Sequence, residues 1–317
     1  MAATGNPVTT SGGAVAAVRP RLGGRRFRRA GAPYAYIVPA LLFLVALELY
    51  PIAYNLRNSL TDLNVGTFLS GQAEWVGLDN YSKVIDDPAF THAVGVSVVF
   101  TIACIALQFT LGLALALFFQ RPFPGATVLR ALLVLGWLLP GVVTGNLFRW
   151  LLDGDSGVVT WLVATVGLGE HAWLTDPDAA LWAAVATNVW VGIPFNMLLL
   201  LPGLQAIPEE LYDAAEVDGA NAWQRFRYIT VPLLRPVALI VVVLGVIYTF
   251  KVFDLVFVLT GGGPVDATRV LPIYIYDLSL RFFRFGEAAA ASTLLLLAML
   301  AVGTAYLWLA RREGAER

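Results

Sequence analysis

The sequence predicts an all-α, polytopic membrane protein with six transmembrane helices, and three observations carry that expectation. Hydrophobic residues fill 58% of the 317 positions and charged residues only 14%, with a mean hydropathy of +0.72, which is too apolar for a water-soluble domain. Six stretches reach the roughly 20 apolar residues needed to cross the hydrocarbon; they fall near 34–57, 93–119, 129–152, 179–201, 236–259 and 288–309. The net charge of −1 hides a segregation of basic residues between alternate loops. Before the first span stand Arg19, Arg21, Arg25, Arg26, Arg28 and Arg29, and Arg121 and Arg130 flank the loop between spans two and three. Arg225, Arg227 and Arg235 lie between spans four and five, and Arg311, Arg312 and Arg317 follow span six. That places 14 of 21 basic residues on one side, so both termini are expected in the cytoplasm.

In chain order, residues 1–33 are rich in Gly, Ala and Arg without apolar periodicity, the composition of a disordered basic tail held near anionic lipid. Its RRFRR resembles a twin-arginine export signal, but the apolar run that follows is long, contains Glu48 and Pro51, and lacks a small-residue cleavage site. It reads as an anchoring first span. The membrane domain is expected over 34–310, with a short cytoplasmic tail at 311–317. Leu139–Gly141 and Gly192–Pro194 interrupt spans three and four, where proline removes a backbone hydrogen bond and kinks the helix, either around a cavity or for packing alone. Leu259–Pro264, LTGGGP, reads as a flexible turn on the far side of the membrane.

The chain offers little material for catalysis. Its only lysines, Lys83 and Lys251, are not preceded by the Gly-rich turn of a nucleotide-binding loop. His92 and His171 lack the spacing of a zinc site, and GDSG at 154–157 is not a nucleophile elbow. Cys104, the single cysteine, lies in an apolar run and can form no intramolecular disulfide. No enzyme activity, no metal and no cofactor bound by this chain are expected, and no nucleic-acid partner.

The cytoplasmic loop 202–235 is different in kind. From Pro208, two acids, Glu209 and Glu210, open a helix at its positive end. Ala214 and Ala215 give it a face with little bulk, and Gly219 permits a left-handed turn. A second short helix then carries Trp223 and Phe226, and Pro232 and Pro236 are expected to stop it before span five. The result is a compact knob with an aromatic pair behind it, suited to a groove on a partner. A loop helix lying on lipid headgroups is the alternative.

DAAEVDGANAWQRFRYITVP, 213–232, resembles the EAA loop of binding-protein-dependent ABC importer permeases: Asp213, Ala214 and Ala215, then Gly219, then Ile229, Val231 and Pro232 keep its spacing, with Asp for Glu and Val for Leu. EWVGLDNYSKVIDDPAF (74–90), PFNMLLLLPGLQAIPEELYDAAEVDGA (194–220) and FKVFDLVFVLTGGGPVDATRVLPIYIYD (250–277) are similar to the sugar-importing, maltose-type (MalF-like) branch of that family. The resemblance implies a type I importer permease fold working with a second homologous permease, two ATPase subunits that bind ATP and Mg, and an extracytoplasmic binding protein. It implies a di- or oligosaccharide cargo, or glycerol-3-phosphate-type solutes as in close relatives, and contact between the ATPase and the loop residues Glu209, Glu210, Asp213, Ala214, Ala215, Asp218, Gly219, Trp223, Phe226, Ile229 and Pro232. A secondary transporter would need inverted repeats and embedded coupling charges, which the spans do not show.

Polar residues inside spans are costly and tend to face a cavity or a partner helix. Glu48, Gln108, Thr144, Asn146, Asn188 and Asn196 are of this kind, and Tyr248, Lys251 and Asp254 share one helical face at i, i+3, i+6. Lys251 and Asp254 either pair with each other or line the pathway. Asn188, Trp190 and Tyr248 are the residues expected to touch a sugar.

Overall fold

In lipid every backbone polar group must be paired within the chain, which forces long apolar stretches into helices. In the computed structural model this holds throughout the described residues, namely residue 2, residues 36–167 and residues 172–315. They form thirteen helices: α1 (Tyr36–Ser59), α2 (Val65–Ser70), α3 (Asp79–Ile85), α4 (Pro88–Gln120), α5 (Ala126–Leu138), α6 (Gly141–Leu151), α7 (Val158–Thr165), α8 (Pro177–Gln205), α9 (Glu209–Val217), α10 (Ala222–Phe250), α11 (Asp254–Leu259), α12 (Leu271–Tyr276) and α13 (Phe285–Ala315). Residues 1–54 and 55–317 are two separate units. In the first, the described part of α1 up to Tyr54 has every side chain exposed.

The second unit is built on α4 and α8. Both start with an Asp-Pro pair: the Asp87 carboxylate accepts from the Ala89 N–H and the Asp176 carboxylate from the Asp178 N–H, with proline in the first turn. The two helices run side by side in the same direction. Early residues of each (Val96, Phe100 and Cys104; Ala184, Val185 and Val189) meet in one cluster, and late residues (Ala116 and Phe119; Met197, Leu200 and Leu204) in another. Midway, the Gln108 amide donates to the Asn188 carbonyl at 3.0 Å, and Gly112 lets α4 approach so closely that a Cβ there would lie 2.5 Å from the Asn196 Cβ. α11 completes the first cluster and α10 the second, while a third joins α3, α4, α12 and α13. Large apolar side chains on the outward faces, such as Ile102, Leu111, Leu297 and Leu300, are exposed, as lipid contact requires.

The interruption expected at Leu139–Gly141 is present, whereas the fifth span differs from the sequence expectation at both ends. The third span is a broken pair: α5 and α6 meet at 98° because Leu139, which precedes a proline, is held in an extended conformation. The fifth span starts at Ala222 instead of 236 and stops at Phe250 instead of 259. Pro232 and Pro236 do not end the helix. Residues Phe226–Thr230 form a wide turn in which Val231 N–H bonds to the Phe226 carbonyl, so Pro232 lies just where the bonding is already displaced. By contrast, α8 passes through Pro194 and Pro202 without a break. The basic tail expected at 1–33 lies outside the described residues apart from residue 2, as do His171 and residues 316–317; the expected tail from 311 continues α13 as far as Ala315.

Candidate functional site

Two places bring the singled-out residues together, and α10 connects them. The first is the elbow between α9 and α10. Glu209 and Glu210 occupy the first turn of α9, and Asp218 closes its end. Gly219 then takes φ +80°, with its N–H on the Glu216 carbonyl (3.0 Å) and the Ala220 N–H on the Ala215 carbonyl (2.8 Å). This double bond pattern satisfies two of the carbonyls a helix end leaves free. Nothing lies within 4 Å of a Cβ built on Gly219, so only its backbone angle demands glycine.

α10 opens with a reciprocal cap, Asn221 accepting from the Gln224 N–H and Gln224 accepting from the Asn221 N–H. Two ties span the elbow: Tyr212 and Thr230 share a hydroxyl hydrogen bond of 2.9 Å, and Arg225 pairs with Glu216 at 2.5 Å. Tyr212 and Ile229 pack on the cluster at the ends of α4 and α8, which roots the elbow in the core. Ala214, Val217 and Trp223 are exposed and Ala215 is half-buried. Trp223 therefore points outward beside Phe226, its ring centroid 5.6 Å away, and does not lie behind the knob as expected. A groove of about 800 Å³ runs between this elbow and the end of α4, lined by Gln120, Arg121, Asp213, Glu216 and Arg225 among others. The Asn221 cap was legible as Asn-x-x-Gln; the ties across the elbow join residues 9 and 18 positions apart, which no local pattern announces.

The second place is a pocket of about 280 Å³ lined by Gln108 from α4, Trp137 from α5, Asn188, Val191, Gly192 and Phe195 from α8, and Gly245, Tyr248 and Thr249 from α10. Trp137, Phe195 and Tyr248 form a run of rings, with centroids 5.5 Å and 5.9 Å apart. None of the lining residues carries a formal charge. Aromatic faces with two amides suit a ligand that has apolar faces and hydroxyl edges.

Of the five pathway residues expected, Asn188 and Tyr248 line this pocket. Trp190 does not: it fills the angle of the broken span, its ring 5.4 Å from Phe148 and so close to Gly136 that a Cβ there would lie 2.9 Å away. Lys251 and Asp254 do not continue the face of Tyr248, because α10 ends at Phe250. Nor do they pair. Lys251 Nζ sits 5.0 Å from the Tyr248 ring centroid, while the Asp254 carboxylate lies against Gly141. Trp137, Val191, Phe195, Gly245 and Thr249 are the lining residues that the sequence reading missed.

The LTGGGP segment is tied down: the buried Thr268 hydroxyl donates to the Gly263 carbonyl at 2.7 Å and shares a hydrogen bond with the Thr260 hydroxyl at 2.6 Å. Nearby, Arg269 and Arg281 hold the buried Asp277 at 2.7 Å and 3.0 Å.

The profile of the family "binding-protein-dependent transport system inner membrane component" matches residues 108–313. The trehalose/maltose transport system permease protein MalF of Thermococcus litoralis is 34% identical over 278 residues, covering 87% of this chain and 92% of that protein. The diacetylchitobiose uptake system permease protein DasB of Streptomyces coelicolor is 32% identical over 297 residues, covering 90% of each. Among solved structures, a chain of a bacterial ABC transporter involved in the import of the acidic polysaccharide alginate superposes with a TM-score of 0.77 at 22% identity, over 90% of this chain and 97% of that one, which shows the shared fold.

Proposed function

The chain belongs to the binding-protein-dependent transport system inner membrane components, and from that premise we propose that it is the membrane-spanning permease subunit of an ATP-driven importer of a di- or oligosaccharide. A second homologous permease, two ATPase subunits binding ATP and Mg, and an extracytoplasmic binding protein complete the machine. A related transporter, the alginate importer, has been crystallised in complex with its oligosaccharide-bound periplasmic protein, which supports the last of these. The elbow is the cytoplasmic coupling point, its exposed face of Glu210, Asp213, Ala214 and Val217 seated on an ATPase, and both termini lie in the cytoplasm of a bacterial inner membrane.

The observation that carries this reading is the continuity of α10. From the elbow at Ala222 to the pocket at Tyr248 and Thr249 there is one helix of 29 residues, about 43 Å long at ~1.5 Å per residue. A push on the elbow is passed to the pocket along one continuous helix, through the wide turn at Phe226–Thr230, instead of being absorbed in a loop. The pocket's chemistry supports a neutral sugar: three rings to stack on pyranose faces, two amides to meet hydroxyls, and no charged residue in the lining itself, Lys251 standing over the Tyr248 ring. That makes a glycerol-3-phosphate-type cargo the weaker alternative.

The test is reconstitution of the assembled transporter in liposomes. First, di- and oligosaccharides are screened for protecting the cognate binding protein from heat. Uptake of the sugar so identified is expected only with ATP, the ATPase subunits and the binding protein together. Uptake without nucleotide hydrolysis, or of phosphorylated solutes alone, contradicts the reading.

A further inference from the structure

α10 is continuous from elbow to pocket, but its ladder of backbone bonds is interrupted near the start. Across Phe226–Thr230 the chain makes a wide turn, with the Val231 N–H on the Phe226 carbonyl. Pro232, next in line, has no N–H to give, and Pro236 removes another bond one turn later. A load applied at the elbow meets this stretch first, and helices bend where their ladder is interrupted.

Two side-chain ties reach from α9 to this part of α10, and they differ in where they land. Arg225 and Glu216 join ahead of the wide turn, and with the Glu216 side chain 70% exposed the pair is solvated and contributes little. Tyr212 reaches Thr230, the last residue of the turn, at 2.9 Å. Thr230 is 4% exposed, so its hydroxyl has little water to turn to if that bond is lost. Tyr212 is itself half-buried and packs on the cluster that includes Phe119, Met197, Leu200 and Leu204 at the ends of α4 and α8. The core therefore fixes its ring, and the ring presents its hydroxyl to the turn.

We infer that Tyr212 is a positioning residue for coupling: its hydroxyl fastens the far end of the wide turn to α9, so that α9 and the first turns of α10 move as one body and the turn does not absorb the elbow's displacement. The inference rests on the elbow being the coupling point. It gives a role to two residues, Tyr212 and Thr230, that lie outside the exposed face seated on the ATPase.

The test uses the assembled transporter in liposomes with Tyr212→Phe, Thr230→Val, the two combined, or Thr230→Ser. Four quantities are read for each: hydrogen exchange of the amides at 226–231, sugar taken up per ATP hydrolysed, the KM for sugar, and the melting temperature. Tyr212→Phe and Thr230→Val should each speed the exchange about five-fold, the usual worth of one hydrogen bond, and lower uptake per ATP by a like factor, with KM within about two-fold of wild type. The combined variant should be no worse than the poorer single one, because both changes remove the same bond. Thr230→Ser keeps the hydroxyl and should restore most of the wild-type coupling. A lower melting temperature with uptake per ATP unchanged would make the pair merely structural and overturn the inference. Strictly additive effects, or a Thr230→Ser variant as poor as Thr230→Val, would overturn it too. Should Thr230→Val fail to assemble, Tyr212→Phe, which removes a single oxygen, still decides. If the wild-type complex shows no sugar-stimulated hydrolysis, the coupling reading fails and the inference with it, whereas unchanged exchange in Tyr212→Phe overturns the inference alone.

Discussion

Gly219 concentrates the elbow's geometry in one backbone angle. At φ +80° with free space around its Cβ, the cost of a side chain there is conformational, not steric. Gly219→Val, β-branched and strained in this region, is therefore expected to abolish sugar-stimulated ATP hydrolysis in the assembled transporter, while Gly219→Asn, which tolerates the left-handed conformation, keeps most of it. Equal loss in both would show that the angle is not what matters. In the pocket, removing a stacking ring by Trp137→Ala should raise the KM for sugar by roughly ten-fold, about 1.4 kcal/mol, a usual worth for one aromatic contact. Trp190→Ala should instead lower the melting temperature, because Trp190 packs in the bend of the broken span and is not among the residues that line the pocket. Asn188 lines the pocket and Trp190 does not, for a reason visible in helical angles. Asn188, Val191, Gly192 and Phe195 fall at i, i+3, i+4 and i+7 and share the pocket face of α8, whereas Trp190, two residues from Asn188, points to nearly the opposite side. That spacing also contained Phe195. Trp137 and Gln108 come from other helices, and no one-dimensional pattern joins them to it.

At the level of elements, the parallel pair α4 and α8 is held by glycine, and Gly112 is its tightest point. Gly112→Leu is expected to cost at least the 1–3 kcal/mol of an overpacked core and to lower the detergent-solubilised protein's melting temperature by several degrees; an unchanged melting curve would place the two helices further apart. Helix existence was legible from apolar length, and the starts of α4 and α8 from their Asp-Pro pairs. Proline breaks were legible only in part: the interruption expected at Leu139–Gly141 is present, and the one expected at Gly192–Pro194 is not. Pro140 separates two helices at 98° while Pro194, Pro202, Pro232 and Pro236 are carried within helices. The residue type is the same in each case; what differs is whether neighbouring backbone re-pairs around the missing N–H, as the wide turn at Phe226–Thr230 does, and that is a tertiary outcome. Reading Pro232 and Pro236 as stops hid the continuity of α10, and with it the connection between elbow and pocket.

For the molecule as a whole, the proposed coupling point is a segment rooted in the core on one side and exposed on the other. Val217, at the tip of the elbow, is 88% exposed, although the residues behind it, Tyr212 and Ile229, are rooted in the core. A surface built this rigidly and left uncovered is what a motor subunit would need to push. The central claim is that this elbow lies in the cytoplasm against an ATPase. The most direct measurement replaces Cys104 by Ala and Val217 by Cys, then treats spheroplasts with a membrane-impermeant maleimide. The account predicts no labelling until the membrane is permeabilised, and slower labelling when the ATPase subunits are co-expressed than when they are absent. Labelling in intact spheroplasts, or a rate indifferent to the ATPase, would contradict it.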